Sequence, residues 1–223
     1  MPTVFAFDVY GTLIDTAGVV ALLERMLPAR ARAFSDLWRS KQLEYSFRRG
    51  LMQNYRDFSV CTAQALDYTC AALGVELSSV QKAELLAAYR RLPAFADVEK
   101  ALELLRQKSC RLFAFSNGKP DDLESLLQQA GIREYFEEIV SCDEIRSFKP
   151  NPAVYAHFLR RAGAAGDTAW MVSGNPFDVL GALSAGMRAA WIRRNPDAVF
   201  DPWELSPTAT LSSLEGLVDL AVD

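Results

Sequence analysis

Histidine is almost missing from this chain: His157 is the only one in 223 residues. That excludes a histidine cluster around a metal ion and leaves little room for a serine–histidine–aspartate hydrolase. Cysteine is scarce too, and Cys61, Cys70, Cys110 and Cys142 are spread so that no two form a C-x-x-C pair. Such spacing reads as reduced, mostly buried thiols of a cytoplasmic protein. No apolar run approaches the ~18 residues of a membrane span. The opening stretch Met1–Phe7 meets Asp8 before it could act as a signal peptide. Positive charge is not in excess either: 24 Lys and Arg stand against 28 Asp and Glu, a net charge of −4. A nucleic-acid partner would require a basic face or arm that this chain does not have.

What is there is the balance of a globular protein, half apolar and 23% charged. Short apolar runs at Thr3–Phe7, Arg111–Phe115, Glu138–Ser141, Thr168–Val172 and Arg188–Ile192 alternate with longer helical text. That alternation predicts an α/β fold, a Rossmann-like parallel sheet. Val98, Ala101, Leu102 and Leu105 form one helical stripe for packing on it. Pro120, Pro152 and Pro176 open helices that Gly131, Gly163 and Gly186 close.

Residues 16–93 break the pattern, with helical periodicity and no convincing strand. Val19, Leu22, Leu23, Met26 and Leu27 share one face; Phe34, Leu37 and Trp38 begin a second helix; Leu66, Cys70 and Leu73 lead into Gly74. Ser78-Ser-Val-Gln81 has the form of a capping box opening a fourth. The division expected is an α/β core of residues 1–15 and 94–223, with an inserted all-helical cap, 16–93, over the carboxyl ends of the strands.

Polar residues fall at equivalent strand ends. Thr-Val-Phe-Ala-Phe runs into Asp8, Arg-Leu-Phe-Ala-Phe into Ser116-Asn117-Gly118, and Thr-Ala-Trp-Met-Val into Ser173-Gly174-Asn175. Ligands of open parallel sheets bind at that edge, so these residues should converge on one pocket. A carboxylate directly after a buried strand needs hydrogen bonds or a cation, and Lys149 is the cation to hand. Taken alone, Asp8 could instead cap a turn through the amides of Tyr10 and Gly11. Arg39 could be a solvated helix arginine, Lys149 a surface lysine, and Asp178 a charge suited to a helix N-terminus.

Asp8-Val-Tyr-Gly-Thr-Leu-Ile-Asp15 resembles the first motif of the haloacid dehalogenase superfamily, and Ser116-Asn117-Gly118, Lys149-Pro150 and the loop ending at Asp178 continue the match. Leu37-Trp38-Arg39-Ser-Lys-Gln-Leu-Glu-Tyr45 is similar to a segment of the L-2-haloacid dehalogenases. The resemblance implies that Asp8 displaces halide from a small halogenated carboxylic acid, forming an ester that water hydrolyses, with no metal and no cofactor. It assigns Lys149 and Thr12 to orienting Asp8, and Arg39, helped by Asn117, to the departing halide. Asp178, with Ser173 and Asn175, activates the water. The substrate carboxylate lies on Ser116 and on backbone amides near Val9 and Tyr10, within an apolar wall of Tyr10, Leu43, Phe58 and Phe177. The best-known relatives carry Trp where this chain has Phe177. Asp15 is given no chemical role, and homodimers are common in the family.

The superfamily's phosphatases offer another reading. They use Mg²⁺ and a second Asp two residues after the nucleophile, where this chain has Tyr10. A phosphatase acting on a small phosphate ester, a hydrolase opening a strained ring bearing a carboxylate, and a non-catalytic binding protein remain alternatives from sequence alone.

Overall fold

Runs such as Val4–Phe7 are aliphatic and aromatic on both faces, the composition of a strand covered on both sides. In the computed structural model, which describes residues 2–221, they form one parallel sheet: β1 (Val4–Phe7), β2 (Arg111–Ser116), β3 (Glu138–Ser141), β4 (Ala169–Ser173), β5 (Arg188–Ile192) and β6 (Ala209–Leu211), in the order β3-β2-β1-β4-β5-β6. Strand alternation divides the core. Phe5, Phe7, Ala114 and Val172 pack on one face with α5 (Val98–Gln107) and α6 (Pro120–Gln129). Ala6, Phe113, Phe115 and Met171 pack on the other with α7 (Pro152–Ala162) and α8 (Pro176–Ser184).

The expected stripe on α5 is wholly buried. The expected punctuation holds as well: Pro stands in the first turn of α6, α7 and α8, and Gly163 takes the left-handed conformation that ends α7. Three details differ from expectation. Ser116 and Ser173 are the last residues of their strands, pairing with Ser141 and Trp191, rather than the first beyond them. Thr3 and Thr168 lie just outside their strands, Thr168 in a short 3₁₀ turn. The edge strand β6 was not anticipated, for it has three part-exposed residues and no apolar run.

Residues 17–88 hold four helices and no strand: α1 (Ala17–Met26), α2 (Ala31–Leu51), α3 (Phe58–Leu73) and α4 (Ser79–Ala88). The Ser78–Gln81 capping box forms with both bonds, and Gly74 closes α3 in the left-handed region. The chain leaves and re-enters the sheet through one crossing, where the Asp15 amide donates to Pro93 O (2.8 Å) and the Phe95 amide to Leu13 O (3.0 Å). The Asp15 carboxylate caps the Ala17 amide at 2.8 Å. No helix of the described residues is long and apolar enough to cross a membrane.

Strand order places the site. From β1 the chain builds outward to β2 and β3 on one side and to β4, β5 and β6 on the other, so a crevice opens between the ends of β1 and β4. Phe7 pairs with both Ala114 and Val172, which brings Asp8 level with Ser173. The loops after β1 and β4 touch there: a Cβ on Gly174 would stand 2.5 Å from the Gly11 carbonyl oxygen. Both partners are backbone, so neither can swing away. Gly174→Ala is expected to cost about 1–3 kcal/mol, read as a lower urea midpoint at unchanged m-value.

Candidate active site

Asp8 sits where β1 stops and the chain turns, and its carboxylate is met by side chains rather than by turn amides. Oδ2 accepts from Thr12 Oγ1 (2.9 Å), Asn175 Nδ2 (2.8 Å) and Ser173 Oγ (3.5 Å). Oδ1 accepts from Lys149 Nζ at 3.3 Å. The Gly11 amide, a donor the turn-cap reading required, is spent on Ile14 O. Asp8 is therefore the centre of a polar cluster and not a local cap.

Lys149 is 1% exposed. Its three donors meet Asp8 Oδ1, Asp178 Oδ2 (2.8 Å) and Phe115 O (2.8 Å), so none is left over. Burial pulls its ammonium down, but the carboxylates of Asp178 and Asp8 outweigh it and leave it above its ordinary value. Asp178 is completely buried, with Lys149 on one oxygen and the Tyr155 hydroxyl on the other at 2.8 Å. Burial pushes it up to about 6, against the pull of Lys149 and with a further push from Asp8. Burial and the Asp178 charge likewise raise the Tyr155 hydroxyl well above its usual range, so it stays a donor.

A chamber of about 20 Å³ opens onto Asp8, room for roughly one water. Tyr10, Leu43, Phe58 and Phe177 wall it, and Arg39, Ser116, Asn117, Lys149 and Asn175 supply its polar lining. Thr12, Ser173 and Asp178 stand behind, holding the groups that face it. Val9 is different: it does not line the chamber, and its side chain lies in the core. Arg39 reaches in from α2 and is only partly exposed, its Nη2 donating to Asn175 Oδ1 at 3.3 Å and its Nη1 to Gln42 Oε1 at 2.6 Å. Asn175 thus touches both Asp8 and Arg39, one with each end of its amide. Asn117 accepts from the Lys149 amide at 2.9 Å and keeps its own NH₂ for the chamber. Phe177 is fixed edge-on against Phe47, ring centroids 5.1 Å apart.

Two residues escaped the sequence reading. Tyr155 looks like one more aromatic on the buried stripe of α7, and nothing local announces where its hydroxyl goes. Gln42 lies one turn beyond Arg39 and is buried, passing its NH₂ to Thr62 Oγ1 at 2.6 Å. Its signal was there, a polar residue at i+3 from an arginine. The thiols are free as expected, with Cys61, Cys70 and Cys142 buried and Cys110 partly so. Burial pushes Cys61 up to about 11 and Cys142 to about 12. Among the described residues no group of three or more His, Cys, Asp and Glu is placed to hold a metal ion.

Residues 2–186 match the family of haloacid dehalogenase-like hydrolases. The (S)-2-haloacid dehalogenase of Pseudomonas sp. (strain YL) is 36% identical over 215 residues, covering 96% of this chain and 92% of the relative. Haloacetate dehalogenase H-2 of Moraxella sp. (strain B) is 37% identical over 215 residues, covering 96% of each. The structure of the L-2-haloacid dehalogenase from Xanthobacter autotrophicus with chloropropionic acid covalently bound superposes with a TM-score of 0.90 at 32% identity, covering 99% of this chain and 98% of that one.

The buried Asp178 leaves a mark on stability. Its folded pKa, about 6, lies above the ordinary 3.8, so the folded state binds this proton more tightly than the unfolded chain. The stability this supplies is complete below about pH 4 and lost by about pH 6. Urea unfolding of wild type and Asp178→Asn across that window should show their difference moving against the wild type as pH rises, then levelling.

Proposed function

The chain belongs to the haloacid dehalogenase-like hydrolases, in the branch of the L-2-haloacid dehalogenases, and on that premise we propose that it converts (S)-2-haloalkanoic acids into (R)-2-hydroxyalkanoic acids and halide. The observation that carries this reading is the facing pair in the chamber. A carboxylate fixed by four donors stands opposite an arginine from α2, and one asparagine touches both.

The chemistry follows from which atoms are engaged. Asp8 Oδ2 carries three donors and Oδ1 only Lys149, so Oδ1 is the freer oxygen to attack C2. The new C–O bond forms as the carbon–halogen bond breaks, and the halide leaves with the electron pair. Arg39 and the Asn117 NH₂ receive that charge, which exists only as the bond breaks and so stabilises the transition state selectively. The substrate carboxylate rests on Ser116, whose Oγ accepts from the Gly118 amide at 3.3 Å and keeps its proton to donate, and on backbone amides near Val9 and Tyr10. Water then attacks the ester at the Asp8 carboxyl carbon and passes one proton to Asp178 by way of the Lys149 ammonium that bonds both carboxylates. The acyl–oxygen bond breaks, the departing alkoxide takes the water's second proton to become the hydroxy acid, and Asp178 returns its proton to solvent. An aspartate near 6 is a stronger base than an ordinary carboxylate, which suits that step. The relative with chloropropionic acid covalently bound supports the ester.

The cycle we propose is independent of metal. The place between Asp8 and Asp178 that a divalent ion would need is taken by the Lys149 ammonium, and a halide leaves without a proton. We also propose that residues 16–93 serve as a cap over a core of 1–15 and 94–223. The enzyme then works as a homodimer in the cytoplasm, where four free thiols suit a reducing compartment.

With EDTA present, the wild type should release chloride from (S)-2-chloropropionate, and Asp8→Ala none. Single turnover in ¹⁸O-water should place label first in Asp8; label entering the product directly defeats the covalent scheme. The rate should fall as pH drops through about 6, as Asp178 gains its proton. Asp178→Asn should stall at the ester, visible as a mass increment on the protein. Arg39→Ala should lower turnover about a hundredfold or more.

A further inference from the structure

Behind Tyr10, Arg39 and Phe58, which also line the nucleophile's chamber, lies a second cavity of about 450 Å³. It opens between α3 and α4 on one side and the Gly118–Asp122 turn on the other. The two spaces differ sharply. The inner one, about 20 Å³, has room for roughly one water. A 2-haloacid with its carboxylate on Ser116 and its halogen on Arg39 must send the remaining substituent of C2 elsewhere, and the larger cavity lies directly across the shared wall.

The chemistry of that cavity selects the occupant. Its cap-side wall is built from small and apolar side chains, Ala63, Ala83, Leu86 and Ala87. Gln42, Thr62 and Ser59 in the lining have spent their hydrogen bonds elsewhere, Gln42 on Arg39 and Thr62, Thr62 on Phe58 O and Ser59 on Asp57, which leaves the Tyr10 and Tyr89 hydroxyls as neutral donors. The cations near the mouth are paired, Arg90 with Asp122 at 3.3 Å and Lys119 with Asp57 at 3.1 Å. Arg39, the other cation in the lining, is committed to the halide, so no charge is left to hold a second carboxylate, which leaves an alkyl chain as the group the surface fits.

We propose that this cavity is a subsite for the alkyl tail of the substrate, and that the preferred acids are 2-haloalkanoic acids several carbons longer than chloropropionate. Ala63, Ala83 and Ala87 set its depth. The proposal rests on the dehalogenase reading of Asp8 and specifies which members of that substrate class fit.

Two measurements test it. The first follows halide release from (S)-2-bromo acids of three to eight carbons by the wild type and by Ala87→Phe, which fills the cavity from an exposed position of α4. KM should fall about threefold to fourfold per added methylene in the wild type. That trend should vanish in Ala87→Phe while bromopropionate turnover stays within about twofold, a tolerance set by the cost expected of a surface substitution. The second is calorimetric titration with the unhalogenated acids, propionate to octanoate, which needs no catalysis; affinity should climb with length in the wild type only. A flat length series in the wild type, or an equal loss for all lengths in Ala87→Phe, overturns the subsite. Absence of halide release from every acid overturns the dehalogenase reading instead, and the titration then decides the subsite alone.

Discussion

Lys149 holds a full positive charge almost out of reach of solvent, and the site is arranged around that fact. An ammonium in such a place is untenable without acceptors, and it has three: Asp8, a second carboxylate and a strand carbonyl. Each carboxylate in turn needs the lysine. Removing one partner from such a pair typically costs about 3–5 kcal/mol, because the other charge stays buried and uncompensated. The triad therefore fixes the ends of β1 and β2 and the start of α8 to one another, and its electrostatics and its geometry cannot be separated. Tyr155 belongs to the same unit, since its hydroxyl completes the shell of Asp178 from α7.

Much of this was readable in the chain because a parallel sheet has one productive edge. Asp8, Ser116 and Ser173 are remote in sequence, yet each follows an apolar run of similar length, and the rule that ligands bind at carboxyl strand ends brings them together. The four helices between β1 and α5 were readable through periodicity and through Ser78, whose capping box needs only four consecutive residues. Features without a local signature were not. β6 exists because β5 offers it an edge, Gln42 matters because Arg39 bends toward it, and Tyr155 differs from its aromatic neighbours only in where its oxygen lands. Cavity size is the extreme case, since it is a property of gaps between elements and no single residue encodes it.

The two parts of the molecule share more than a connection. Trp38 of α2 stacks edge-on with Tyr89, which stacks with Tyr10 in the loop after β1, and the Trp38 indole N–H donates to Thr62 O in α3. An aromatic column thus runs from the helices to the residue two places beyond Asp8. On the opposite side of the same loop, Arg194 grips Thr12 O at 2.7 Å while paired with Asp97 through two oxygens. Thr12 is held at both ends, so the hydroxyl it offers Asp8 has little freedom to wander.

Asn175 occupies a position where an acid would look equally plausible on size. Asp8 can only accept hydrogen bonds and Arg39 can only donate them, so a group wedged between the two must offer a donor on one flank and an acceptor on the other. A neutral amide does this and a carboxylate does not. It works as a polarised washer, bridging two opposite charges through the two ends of one amide without adding a third.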